Sequence, residues 1–392
     1  MSGRPVLFYS DWPLGYHNQE AERKARDLAA HGYDVVYVAG VGTRNPRLSS
    51  AGKAADRLWR KLRPGAAQAT EAAGAPLPPG LRAAGLLVAP PRQVRAMRRL
   101  NARWVERQLR GAIGDWPSAV AWIRHATPEL VDALRALRPA AVVYEVVDAH
   151  HTGPGMTGVW LEAFEAAERE LATRADAVVV TNPPLAPRFE AWGIEPVLLP
   201  HGVELFDWAP REAGRPPDAP VLGFLGVLDV RLDRDVIRHV ASARPRWTIR
   251  LVGPVERGFD PGDYADLPNV RVEPPVPHAQ VGEVLRTFDV GLLAYADSPM
   301  YRGMAPLKLL ECLAAGRPVV ARPAPAMAPF AEHVAFAETP EAFVAEVERV
   351  VREDTPELAA GRRRVAEANA WEPRLAELRA LVARLTGDAP RS

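Results

Sequence analysis

The feature that most constrains the fold of this chain is a rhythm that runs twice. Short apolar, β-branched stretches alternate with longer helix-spaced ones, first before and again after an interruption rich in Pro, Gly and charge at residues 200–220. Strands joined by helical crossovers pair in parallel, and a parallel sheet is covered by helices on both faces. The first series predicts strands at 6–10, 35–39, 86–89, 119–123, 141–147 and 177–181, with helices at 18–31, 128–137 and 159–173. The second predicts strands at 221–225, 248–252, 270–273, 290–295 and 318–321, with helices at 233–243, 278–287 and 306–315. A length of 392 residues suits two domains. The expectation is therefore α/β, with two Rossmann-like doubly wound domains facing a central cleft. Their bounds are 1–199 and 221–370, joined by the 200–220 linker. A helix within 371–392 is expected to cross back to the first domain, anchored by Trp371.

Charge is nearly balanced over the whole chain, at +1, which offers no general attraction to nucleic acid. The balance hides a basic segment at 44–110 with fifteen Lys/Arg against three Asp/Glu, whose first part, rich in Ala, Gly and Pro, reads as a loop. Within it, residues 92–110 place Val94, Met97, Leu100, Trp104, Val105 and Leu109 at helical spacing, with arginines between them. Such a helix either docks on its own domain or faces an anionic lipid or acceptor. The single cysteine, Cys312, excludes an internal disulfide and fits a reducing compartment. The start of the chain lacks the layout of a signal peptide, and no apolar run approaches the ~20 residues of a spanning helix. A cytoplasmic protein, at most peripheral at the inner face of a membrane, is expected.

Chemistry concentrates in residues 301–320, YRGMAPLKLLECLAAGRPVV. Pro306 suits a first helical turn, Leu307, Leu309, Leu310 and Leu313 supply burial, and Gly316 stands where a C-terminal cap belongs. The unpaired N–H groups at such a helix start, with Lys308 beside them, suit a diphosphate. Glu311, one turn on, can accept hydrogen bonds from two vicinal ribose hydroxyls. The same spacing also suits a plain Lys–Glu pair on a helix surface.

This stretch resembles the donor-binding signature of retaining GT-B enzymes in glycosyltransferase family 4, through Pro306, Lys308, Glu311, Ala315, Gly316, Pro318, Val319 and Val320. Further pieces fall in the order of that family: Ala175-Asp176-Ala177, residues 200–204 (PHGVE), Asn269-Val270, and Phe288-Asp289-Val290-Gly291. Residues 99–101 (RLN) and 143–148 (VYEVVD) are similar to a branch active in cell-envelope polysaccharide synthesis. The resemblance implies transfer of a sugar from a nucleotide-diphosphate sugar, a co-substrate rather than a cofactor, to a sugar or glycoconjugate acceptor, with retention. Two positions depart from the pattern. Gly303 stands where the family has a Glu, and the phosphate-binding Arg/Lys pair after the second domain's glycine loop is reduced to Arg231.

The remaining candidates follow strand ends, where α/β proteins bind ligands. In the second domain Gly223 and Gly226 either form a tight turn or let backbone approach a phosphate. Gly15 follows the first strand, and Asp148, His150 and His151 follow the fifth, with His125 similarly placed after the fourth. The resulting site is Asp148, His150 and Lys308 for catalysis, and Gly15, Gly226, Arg231, Pro306, Leu307, Lys308 and Glu311 for the donor. No metal is expected, because the D-x-D triplet Asp233-Arg234-Asp235 opens a helix, where Asp serves as cap. The same fold also carries nucleotide-sugar epimerases and phosphorylases, and a binding-only subunit is the reading that Gly303 favours.

Overall fold

The computed structural model describes residues 3–10, 13–15, 19–40, 77–90, 92, 94–152, 157–205, 219–256, 258–304 and 307–388. The chain divides into two compact units, Met1–Pro200 with Leu375–Ser392, and His201–Arg374. Most of the loop-like part of 44–110, and residues 206–218 of the linker, lie outside the described residues.

The first unit holds seven parallel strands in the order β3-β2-β1-β4-β5-β6-β7. They are β1 (Pro5–Ser10), β2 (Asp34–Ala39), β3 (Leu81–Gly85), β4 (Val120–Ile123), β5 (Ala141–Val146), β6 (Ala177–Val180) and β7 (Val197–Leu198). Its helices are α1 (Gln19–Ala30), α2 (Arg95–Ala112), α3 (Pro128–Leu137), α4 (Gly158–Arg174) and α5 (Ala186–Glu190). Because side chains alternate across a strand, β1 feeds two cores: Leu7 and Tyr9 join Val105 and Leu109 of α2, while Val6 and Phe8 join the other face. That other face includes Leu378, Leu381 and Val382, which lie far along the chain. Arg379 adds an ion pair to Asp27 at 2.6 Å, and Arg4 reaches Asp388 at 2.8 Å.

The second unit repeats the plan with β8 (Val221–Leu225), β9 (Thr248–Val252), β10 (Val270–Glu273), β11 (Val290–Leu293), β12 (Val319–Ala321) and β13 (Ala335–Phe336), ordered β10-β9-β8-β11-β12-β13. Its helices are α6 (Arg234–Ala243), α7 (Val281–Arg286), α8 (Pro299–Arg302), α9 (Leu307–Ala314), α10 (Pro340–Glu353) and α11 (Pro356–Ala368), and α12 (Trp371–Thr386) follows. Three of the family-like motifs prove to be framework. Asp176 and Asp289 each use backbone and carboxylate to grip the start of a neighbouring strand, at Val142 and Val221 respectively, with every bond 2.8–2.9 Å. The Asn269 amide ties Ala241 to Trp247 through bonds of 3.0 Å.

One strand lies elsewhere than its apolar content predicts. The third strand occupies Leu81–Gly85, and residues 86–89 run past it. Amide side chains of α2 replace a neighbouring strand there: Gln108 accepts from Leu87 N and donates to Leu87 O, at 2.9 and 3.0 Å, and Asn101 does the same for Ala89 at 2.8 Å twice. Gly223 also departs from the turn reading. It lies inside β8, and a Cβ there would stand 2.1 Å from the Phe288 ring. We expect Gly223→Ala to destabilise the fold by about 1–3 kcal/mol through overpacking. A thermal melt checks this, and a wild-type midpoint would contradict the packing.

Candidate active site

In a doubly wound sheet the strand order reverses at one point, and the loops leaving the carboxyl ends there open a crevice. In the second unit the reversal lies between β8 and β11. Gly226 leaves β8 and donates its N–H to Val252 O at 2.9 Å. Its own carbonyl leaves no room for a side chain on Gly253, where a Cβ would lie 1.8 Å away. This close approach keeps the two strand ends thin, and Lys308 fills the space above: a Cβ at 226 would lie 3.1 Å from Lys308 Cε. Lys308 Nζ donates to both Glu311 carboxylate oxygens, at 3.2 and 3.1 Å. The pair is half-buried, with Lys308 30% and Glu311 13% exposed. Leu307 opens α9 and is half-buried. Pro306 lies outside the described residues. Gly316 adopts φ 67° and ends α9, with Arg317 N bonded back to Cys312 O at 2.9 Å.

Arg231 stands close by but already holds a partner, since its Nε meets both Asp229 oxygens at 2.9 and 3.0 Å. Asp229 and Tyr295 are members of this site that sequence reasoning missed. Burial pushes the pKa of the Tyr295 phenol up, and the charges of Arg231, Asp229 and Glu311 all act on it. Its ring stacks on Tyr301, with centroids 5.1 Å apart, and meets Phe224 edge-on. Burial likewise pushes the Cys312 thiol up to about 12, so it stays protonated near neutral pH. Gly303 caps α8 and brings no carboxylate.

Asp233 is committed to structure. One oxygen accepts from the N–H groups of Asp235 and Val236, each at 3.1 Å, and the other pairs with Arg322 at 2.8 Å. Among the described residues no cluster of three or more His, Cys, Asp or Glu side chains is arranged to hold a metal.

The other candidates belong to the first unit. Gly15 adopts φ 76° and gives its N–H to Glu22 at 2.8 Å. Asp148 is half-buried, and its backbone carbonyl accepts from His150 N at 2.8 Å in the turn after β5. The His150 ring meets that of buried His125 edge-on, centroids 5.0 Å apart. Burial first, and the Arg92 charge second, push the His125 pKa down to about 3, leaving that ring neutral. His151 is also lowered, by burial and then Arg188. Beneath these loops lies a cluster the apolar strand pattern concealed. Glu145 of β5 is fully buried, pairs with Lys24 and Arg124, and accepts from Trp122 Nε1 at 2.6 Å. Glu20 bridges the same two cations. Burial would lower the Lys24 pKa, but Glu145 and Glu20 overcome it and raise it. The sequence signal was a lone Glu inside a strand of β-formers.

Known proteins share this architecture. Residues 231–380 match the family described as Glycosyl transferase-like. WaaG, a glycosyltransferase involved in lipopolysaccharide biosynthesis, aligns with a TM-score of 0.64 at 15% identity, covering 98% of this chain and 99% of its own. HepE of Anabaena, crystallised with UDP and glucose, aligns at 0.62 with 12% identity, covering 98% and 99%. The fold is GT-B. A Bacillus subtilis (strain 168) protein named for teichuronic acid biosynthesis, the glycosyltransferase TuaH, is 32% identical over 158 residues. That match covers 38% of this GT-B chain and 40% of the relative's length.

Proposed function

We propose that this chain is a retaining glycosyltransferase, moving a sugar from a nucleoside-diphosphate sugar to a glycan or glycoconjugate acceptor. The observation that carries the reading is the meeting of Lys308, Glu311 and the Gly226 strand end at the switch point of the second sheet. A lysine above a side-chain-free backbone meets a diphosphate, and a half-buried carboxylate one turn on accepts from the ribose hydroxyls. As the sugar–phosphate bond breaks, negative charge grows on the leaving diphosphate, and Lys308 stabilises it from a fixed position. The departing phosphate can then take the acceptor's proton on the same face. Asp148 and His150 are assigned to positioning the acceptor or the donor sugar. The names of TuaH and WaaG support an acceptor in cell-envelope polysaccharide.

In this reading the cationic site meets the diphosphate and Asp233 is a cap, so no divalent cation is needed. Turnover is expected to persist in EDTA, whereas a strict Mn²⁺ or Mg²⁺ requirement would return Asp233 and Asp235 to the site. Lys308→Ala is expected to lose roughly 2–4 kcal/mol of transition-state stabilisation, read from kcat/KM. Glu311→Ala is expected to weaken binding of the free nucleoside diphosphate as well, by titration calorimetry. Wild-type kinetics in the Lys308 variant would remove that residue from the site. Finally, proton NMR of the freshly formed linkage is expected to show the donor's anomeric configuration, and an inverted anomer would refute the mechanism.

A further inference from the structure

Arg322 leaves the carboxyl end of β12 and turns each arm of its guanidinium to a different segment. Nε donates to Tyr295 O at 2.7 Å, Nη1 to Glu338 O at 2.9 Å and Nη2 to the Asp233 carboxylate at 2.8 Å. Its own carbonyl accepts from the Tyr301 hydroxyl. Asp233 and Tyr295 belong to the loops that leave β8 and β11, the strands on either side of the switch point. The two loops run antiparallel to one another: Leu232 pairs with Tyr295, while Asp233 N donates to Ala294 O and Ala296 N to Arg231 O, both at 2.8 Å. An isolated pairing of this length is marginal by itself. Arg322 closes it from outside, because one planar group holds a backbone carbonyl of one loop and a carboxylate of the other.

Arg231 is carried on that short ribbon. Its carbonyl is the one that Ala296 holds, Asp229 fixes its Nε and Nη2, and its Nη1 lies 3.6 Å from Met304 Sδ, four residues before Lys308. The charges of Arg231 and Glu311 both act on the Tyr295 phenol, so the guanidinium stands near the Lys308–Glu311 pair. A guanidinium is a planar donor suited to a phosphate, and a slip of the ribbon would move it. We propose that Arg322 is a positioning residue of the donor site: it touches no ligand itself and holds Arg231 where that side chain meets a phosphate of the nucleoside diphosphate. The inference rests on the donor reading given above. A lysine at 322 keeps the charge and loses the fixed fork, so charge and geometry can be separated.

The experiment is titration calorimetry of the full chain with UDP, GDP, CDP, ADP and dTDP. The tightest of them is then compared, by competition, with its nucleoside, which has ribose and base but no phosphate. Arg322→Gln and Arg322→Lys are each expected to weaken diphosphate binding roughly ten-fold, the scale of one misplaced charge-assisted hydrogen bond, and to leave the nucleoside unchanged. In an Arg231→Gln background, Arg322→Gln should cost the diphosphate nothing more, since the group it positions is gone. Asp233→Asn keeps a helix cap and removes the charge partner of Arg322, so it serves the same comparison if the Arg322 variants do not fold. Unchanged diphosphate affinity would overturn the proposal, and so would an equal loss of diphosphate and nucleoside, which marks framework alone. Full recovery in the Lys variant, or an additive loss in the Arg231→Gln background, would overturn it too. Failure of the donor reading looks different: the wild type then binds none of these diphosphates and both readings fall, whereas binding that Lys308→Ala weakens and the Arg322 variants retain sinks this inference alone.

Discussion

The candidate site depends on a contact between two backbones. Gly226 O lies where the side chain of any other residue at 253 would begin, 1.8 Å from the position of a Cβ. Only because that carbon is missing can the β8 end close over the β9 end, which leaves Lys308 the space above them. From there Lys308 reaches Glu311, and α9 runs back to its glycine cap at 316. A parallel sheet delivers all its carboxyl ends to one edge, so a single tight contact there brings Gly226 and Lys308, 82 positions apart in the chain, together.

The two units use the same framework device at matching points, an aspartate that opens one strand and grips the start of its neighbour. They differ in what lies beneath the strand ends. The second unit buries Tyr295 against other aromatic rings, and the first buries two cations against two carboxylates. Such a charged cluster is held together by mutual compensation, since removal of one partner strands a charge in low dielectric at a penalty of about 3–5 kcal/mol. It lies in the unit whose loops carry Asp148 and His150, and it ties β5, which leads into them, to α1 through the Glu145–Lys24 pair.

Much of this was legible in the sequence. The strands at 221–225, 248–252 and 270–273 and the helix at 128–137 stand where hydrophobic period and turn residues place them. The Lys308–Glu311 pair was readable from i,i+3 spacing, and the Asp233 cap from its place before an amphipathic run. Long-range pairing was not readable. Glu145 stood out only as part of the family-like stretch 143–148, because its partners Lys24 and Arg124 are distant in sequence, and Asp229 gave no sign that it would occupy Arg231. The strand at Leu81–Gly85 has weak β-formers, and the more apolar 86–89 drew the assignment away from it. Helices α10 and α11 were overlooked although both open with Thr-Pro, the threonine hydroxyl capping the first turn in each.

The most direct measurement is a crystal structure of the chain with a nucleoside diphosphate bound. The account predicts the diphosphate against Lys308 Nζ and the Gly226 strand end, with both ribose hydroxyls on the Glu311 carboxylate. A nucleotide whose ribose lies away from Glu311, with the Lys308–Glu311 pair undisturbed, would contradict it.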